Sequence, residues 1–225
     1  MKRLNILWIG LISVLMTACY DDYEKDYDKS SVYFASQKPL RTLVADTDMS
    51  IKVGVAIGGK REVHTDDWAT FEIDPSLLDG TGLTLMPENY YQLANPNKMT
   101  ISNPNLAIAD VKVTFSDAFY EDDDALNKHY AIPFRLIDHN QDEISTDVNG
   151  NLKDYSIVVV KFVSQYHGTY FVKGKVTNLS TQQVTEYSNK DLSQNMTRDF
   201  VSLGRNKVRR PGFGNTLENN ESVNL

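Results

Sequence analysis

Apolar residues recur at every second position through the body of this chain, and that period decides what it can fold into. Residues 50–57 place Ile51, Val53, Val55 and Ile57 on one side, with Lys52, Gly54 and Ala56 on the other. The same alternation runs through Ala69, Phe71 and Ile73, through Val111, Val113 and Phe115, and through Tyr130, Ile132, Phe134 and Leu136. A period of two puts successive side chains on opposite faces of an extended strand, so each segment reads as a strand with one buried face. Residues 156–163 (SIVVVKFV) form a nearly continuous β-branched run that reads as a central strand. Pro133 has no N–H for a ladder, which predicts that its strand lies at an edge or contains a bulge. Shorter strands are expected at 32–35, 42–45, 83–86 and 98–102, and turn signals such as Gly58-Gly59, Asn95-Pro96 and Asn149-Gly150 separate them. Short helical turns are expected only within 75–79, 87–93 and 122–128. Short strands at this spacing predict an all-β, antiparallel β-sandwich over residues 32–164.

A second, short β unit is expected over 165–225, with an alternating run at 169–177 and weaker strands at 183–188 and 200–203. Beyond Gly204 apolar residues are isolated, which predicts a polar tail that includes the basic cluster Arg205, Lys207, Arg209 and Arg210. So little apolar material makes an independent core marginal. Either these strands pack on the first sandwich, or the unit is incomplete, a domain truncated at this chain's end.

The N-terminus carries an address. Lys2 and Arg3 precede an apolar stretch at residues 6–16, which spans roughly 16 Å as a helix, about half of a hydrocarbon core. This is the pattern of a cleaved signal peptide over residues 1–18. Met16-Thr17-Ala18-Cys19 follows and contains the single cysteine of the chain. It resembles the lipobox of bacterial lipoproteins, which implies lipid attachment at Cys19 and a membrane partner reached through that anchor. Residues 19–31 hold no aliphatic side chain and many aspartates, so they are expected to be a solvated acidic tether. An acidic stretch behind the lipid cysteine resembles the surface-export signal of Bacteroidetes lipoproteins, implying an outer-membrane protein that faces the cell exterior.

Further motifs run in order along the body: Val53-Gly54-Val55-Ala56-Ile57-Gly58-Gly59, Ile73-Asp74-Pro75-Ser76-Leu77-Leu78, and Leu85-Met86-Pro87-Glu88-Asn89-Tyr90-Tyr91-Gln92-Leu93. Val111-Lys112-Val113-Thr114-Phe115-Ser116-Asp117 and Ile132-Pro133-Phe134-Arg135-Leu136-Ile137-Asp138 continue the series. Together they resemble the N-terminal module of Bacteroidetes outer-membrane lipoproteins, a domain of unknown function often found near SusC/SusD-like glycan-uptake systems. The resemblance implies an immunoglobulin-like sandwich followed by a second β domain. It also implies polysaccharide or oligosaccharide and a SusC/SusD-like complex as partners. It supplies no catalytic residues.

The residues themselves speak against several chemistries. Nucleophile-elbow, zincin, P-loop and dinucleotide motifs are missing, so no catalytic residue and no cofactor is expected. Thirty acidic against 23 basic residues give a net charge of −7, and that sign opposes non-specific nucleic-acid binding. The four histidines sit singly and read as surface or edge residues. Asp122, Asp123 and Asp124 are weak calcium candidates at one end of the sandwich, set against a plain solvated loop. Sugars are held by aromatic faces flanked by hydrogen-bonding groups, which makes Trp68, Tyr90, Tyr91 and Tyr120 the candidate glycan contacts. The functional expectation is a non-catalytic accessory to glycan capture or uptake; the alternative is a structural spacer or protein-interaction module that contacts no sugar.

Overall fold

The alternating segments pair into one long ladder that folds back on itself. The computed structural model describes residues 29–47, 49–122, 124–211 and 220–224. The signal peptide, Cys19, most of the acidic tether and Asp123 lie outside the described residues. Eleven strands build the first sheet: β1 (Ser31–Tyr33), β2 (Leu40–Val44), β3 (Ser50–Gly58), β4 (Trp68–Ile73), β5 (Thr84–Leu85), β6 (Tyr91–Leu93), β7 (Lys98–Ile101), β8 (Ile108–Phe115), β9 (Tyr130–His139), β10 (Glu143–Ile144) and β11 (Tyr155–Val163). Their order is β10-β1-β3-β8-β7-β4-β9-β11-β2, with β5 added to β9 and β6 to β8.

In that order β8 and β11 stand four steps apart, roughly 19 Å across a flat sheet. Phe115 of β8 and Phe162 of β11 nevertheless both touch Phe119, with ring centroids 5.5 and 5.4 Å away. The ladder therefore turns over. It does so where β7 meets β8 through only Thr100–Asp110 and Ile101–Ala109 before running along β4. The result is a β-sandwich, with β1, β3 and β8 facing β4, β9 and β11 across a shared core. Val53, Val55, Val111, Val113, Phe71, Ile132, Phe134, Val158 and Val160 are all buried there.

Three details refine the sequence reading. The sandwich is not purely antiparallel: β1 pairs with β10, β2 with β11 and β5 with β9 in parallel. Alternation reports which face is buried and carries no information on the direction of the neighbouring strand. Pro133 lies inside β9, a strand flanked by β4 and β11. Its carbonyl accepts from the Asp74 N–H at 3.0 Å, just past the end of β4, so its missing donor falls where no strand partner requires one. β9 does contain the expected bulge, at Ile137, the extra residue between the Phe71–Leu136 and Thr70–Asp138 pairs. Finally, the α-helical turn is α1 (Asp117–Tyr120), ahead of the acidic loop, while 75–79 and 87–93 each contain a single 3-10 turn. Phe119 and Tyr120 are buried, and their burial draws this turn onto the core.

Gly54 marks the tightest approach of β3 to β8. A Cβ there would lie 2.5 Å from the Ala109 carbonyl oxygen and 2.9 Å from the Asp110 Cβ. Gly54→Ala is expected to destabilise the fold by about 1–3 kcal/mol through forced strand separation. Urea unfolding against Gly58→Ala, whose Cβ meets nothing closer than 3.5 Å, measures it.

The C-terminal segment supplies six more strands: β12 (Gly168–Phe171), β13 (Gly174–Thr177), β14 (Val184–Tyr187), β15 (Thr197–Gly204), β16 (Lys207–Pro211) and β17 (Asn220–Asn224). Four form a sheet in the order β12-β15-β16-β17, and β13 and β14 form a hairpin. The single alternating run expected at 169–177 is broken at Gly174, which has φ 144°. Residues 207–211 and 220–224 are strands where a polar tail is expected. Backbone pairing carries them, with Val208 as the buried apolar residue of β16.

Arg205, in the turn before β16, is likewise no free tail residue. It donates to Asp46 at 2.6 and 2.9 Å, pairs with Asp117 at 2.8 Å and lies 5.8 Å from the Tyr120 ring centroid. Hydrogen bonding to Asp46 leads the causes that hold its guanidinium firmly charged. This bidentate clamp ties the C-terminal sheet to the sandwich.

Candidate functional site

The four candidate aromatics have four different fates. Tyr120 is 2% exposed, packed at 5.2 Å on Phe119 and 5.1 Å on Phe162. Its ring belongs to the core and offers no face to a ligand. Tyr90 ends a 3-10 turn and leans on Phe119 and Tyr130, while its hydroxyl donates to Asp122 Oδ2 at 3.1 Å. Trp68 opens β4 half-buried, with Lys98 Nζ 5.0 Å from its ring centroid, a cation–π contact that occupies one face of the indole.

Tyr91 lines an open depression of about 440 Å³. Ile73, Leu85, Met86 and Leu93 give it apolar walls, and Glu88 and Gln92 provide polar groups. The local chain explains the placement. The 3-10 turn at Glu88–Tyr90 hands over to β6, whose Tyr91 pairs with Phe115 of β8. The step from turn to strand sends Tyr90 inward against Phe119 and leaves Tyr91 at the depression. Burial, then the Glu88 charge, push the Tyr91 phenol above its ordinary value, so at neutral pH it keeps its proton and can donate. An apolar trough with a phenol, a carboxylate and an amide suits the apolar face and hydroxyl edge of a pyranose. The walls at Leu85 and Met86 carried no signal of their own in the sequence, although they lie in the same motif as Tyr91.

Asp122 of the acidic loop turns inward, while Glu121 and Asp124 are exposed. Asp122 Oδ2 accepts from the Tyr130 hydroxyl at 2.6 Å as well as from Tyr90, and its Oδ1 accepts from the Asp124 N–H at 2.9 Å. Burial would raise the Asp122 pKa, but these hydrogen bonds outweigh it and leave the carboxyl below its ordinary range. Asp124 pairs with Lys128 at 2.7 Å. Among the described residues no group of three His, Cys, Asp or Glu side chains is placed to hold a metal ion; Asp123 lies outside them.

Comparison with known proteins adds a family and a fold. A family model described as "-like, N-terminal domain" matches residues 27–143, just over half of the chain. No curated protein matches it. Among solved structures, a Bacteroides ovatus protein of unknown function has a TM-score of 0.69 at 21% identity, covering 88% of this chain and 72% of its own. At that identity the likeness is one of fold. An auxiliary nutrient binding protein of Bacteroides thetaiotaomicron is 10% identical, with a TM-score of 0.46 over 83% of this chain and 64% of its own. That score is too low to inform the chemistry of this chain.

Proposed function

The chain belongs to the family of N-terminal domains whose model spans residues 27–143, and on that premise we propose that it is a non-catalytic, cell-surface lipoprotein that assists glycan capture or uptake. Cys19 is its lipid attachment site, the outer membrane its location, and a SusC/SusD-like complex the machinery it serves. The lipobox-like Met16-Thr17-Ala18-Cys19, the acidic tether and the ordered motifs from Val53 to Asp138 support this reading. The observation that carries it is the depression at Tyr91, where an aromatic side chain adjoins apolar walls and hydrogen-bonding groups.

Retention of the protein in native gels cast with neutral polysaccharides tests the proposal. The wild type is expected to be retarded by at least one of them. Tyr91→Ala is expected to lose about tenfold in affinity, equivalent to roughly 1.4 kcal/mol of ring contact, with a modestly lower melting temperature, because the ring packs on the core, and an unchanged strand signature in circular dichroism. Trp68→Ala is expected to keep its retention. No retardation across a broad panel would favour the spacer or protein-interaction reading. Free recovery of the native protein from a membrane fractionation, or equal fatty-acid label on Cys19→Ser, would remove the anchor.

A further inference from the structure

The Tyr91 depression opens where the two layers lose the strand that joins them. β7 pairs with Trp68, Ala69 and Thr70 of β4 on one side and with Asp110 and Ala109 of β8 on the other. Past these pairs β7 no longer bridges the layers. β4 runs on to Ile73, while β6 extends the opposite layer by pairing Tyr91 with Phe115 and Leu93 with Val113. Tyr91 and Leu93, two residues apart, share one strand face. Both pack on the same core as Ile73, and the buried Met86 belongs to that core. These side chains therefore line one slot between the layers, with the core as its floor.

Two polar groups at the slot are uncommitted. Among the described residues neither the Tyr91 hydroxyl nor the Glu88 carboxylate takes part in a hydrogen bond or an ion pair. Burial, then the Glu88 charge, keep the phenol protonated, so it is a donor, whereas the carboxylate accepts. Glu88 is exposed and is the single charged side chain among the described lining residues. One donor, one acceptor and apolar walls match a secondary amide that ends in a methyl group. Its carbonyl takes the phenol proton, its N–H donates to the carboxylate, and its methyl lies against Ile73 and Leu93. A plain sugar hydroxyl can satisfy the polar pair but brings no methyl to those walls. The lone carboxylate also repels uronic acids and sulfated sugars.

We propose that this slot recognises an uncharged, N-acetylated pyranose, whose acetamido group enters between the layers while the sugar ring rests at the mouth. The inference rests on the glycan-capture reading and adds a ligand class to it. Tyr91, through its hydroxyl as well as its ring, and Glu88 are then the specificity-determining residues. An acetamido group is favoured over a peptide-bond amide because it is terminal: it enters a floored slot end-on, whereas a backbone amide continues as chain on both sides.

Isothermal titration of the purified full chain with chitotetraose and cellotetraose tests this, because the two differ only by an acetamido group in place of a hydroxyl on each ring. Chitotetraose is expected to bind at least about tenfold more tightly. Tyr91→Phe keeps the ring and removes a hydroxyl without a partner in the fold, so its melting temperature is expected to be unaltered. Its affinity for chitotetraose is expected to fall to within about twofold of that for cellotetraose. Glu88→Ala changes an exposed side chain and is expected to weaken chitotetraose about fivefold. Acetyl-tetraalanine amide carries the same amide without a pyranose and is expected to bind at least about tenfold more weakly than chitotetraose. Equal affinity for the two tetraoses, wild-type preference in Tyr91→Phe, or peptide binding as tight as that of chitotetraose would overturn the proposal. If the tetraoses do not differ while Tyr91-dependent retention in neutral gels persists, the acetamido inference falls and the glycan-capture reading stands. Failure of both tetraoses together with loss of retention in every gel removes both.

Discussion

Phe119→Ala is expected to destabilise the protein by about 3–5 kcal/mol, the largest effect of any single change considered. Phe119 is 0% exposed and sits on α1, between the two layers. Its ring contacts Phe115 of β8, Phe162 of β11, Tyr90, Tyr120 and Tyr130 at centroid separations of 5.2 to 6.4 Å. Truncation leaves a cavity lined by five rings drawn from four elements and the loop beside them, and such a shell cannot collapse inward without breaking strand register. Urea denaturation followed by tryptophan fluorescence reads the change as a lower midpoint at constant slope. Phe171→Ala, at an exposed ring of similar chemistry, is expected to stay within about 0.5 kcal/mol. Equal effects at the two positions would contradict the two-layered core.

Asp122→Ala is expected to cost about 2–4 kcal/mol, because it removes a charged acceptor shared by two tyrosine hydroxyls. Tyr130 is buried and the bond partly so, and its hydroxyl therefore loses a partner that solvent replaces only in part. Asp122→Asn keeps an acceptor oxygen without the charge and is expected to cost less. The pH dependence has a definite sign. The folded-state pKa of Asp122 lies below the unfolded value of about 3.9. Its contribution is therefore complete above that unfolded value and is lost as pH falls through the lower folded-state value. Wild type minus Asp122→Asn stability should shrink below about pH 4 and stay level from pH 5 to 7. A difference that persists undiminished at pH 2 would mean that the carboxylate charge is irrelevant there. Tyr130 works in the opposite sense: burial, followed by its bond to Asp122, raises its phenol far above the ordinary range, so it remains a donor at any physiological pH.

These two sites show where sequence reading succeeds and where it stops. Val53, Val55 and Ile57 are buried as their spacing requires, and so are Val111, Val113 and Phe115. The α1 turn was also legible in principle: Ser116 occupies the N-cap position and Asp117 the first turn, a local start signal that a two-residue period masks. β16 and β17 were not legible, because one buried valine is too little apolar pattern to mark a strand and the partner strand is what stabilises it. Tyr90 and Tyr91 are chemically equivalent in sequence. They differ in the structure because the turn-to-strand step falls between them.

What the sequence determined by itself is local: the buried face of each long strand, and caps such as Asp74, whose side chain accepts from the Ser76 N–H two residues on. Such features depend on neighbours within a few covalent bonds, so their physics is written in adjacent letters. Only the tertiary structure decided which strand lies beside which, whether Pro133 could occupy an interior strand, and that Arg205 grips Asp46 across 159 positions. It alone opened the slot that brings Ile73 of β4 beside Tyr91 and Leu93 of β6. Contacts of that range arise when a buried face meets a partner from elsewhere in the chain, and periodicity says that a face must be covered without saying what covers it.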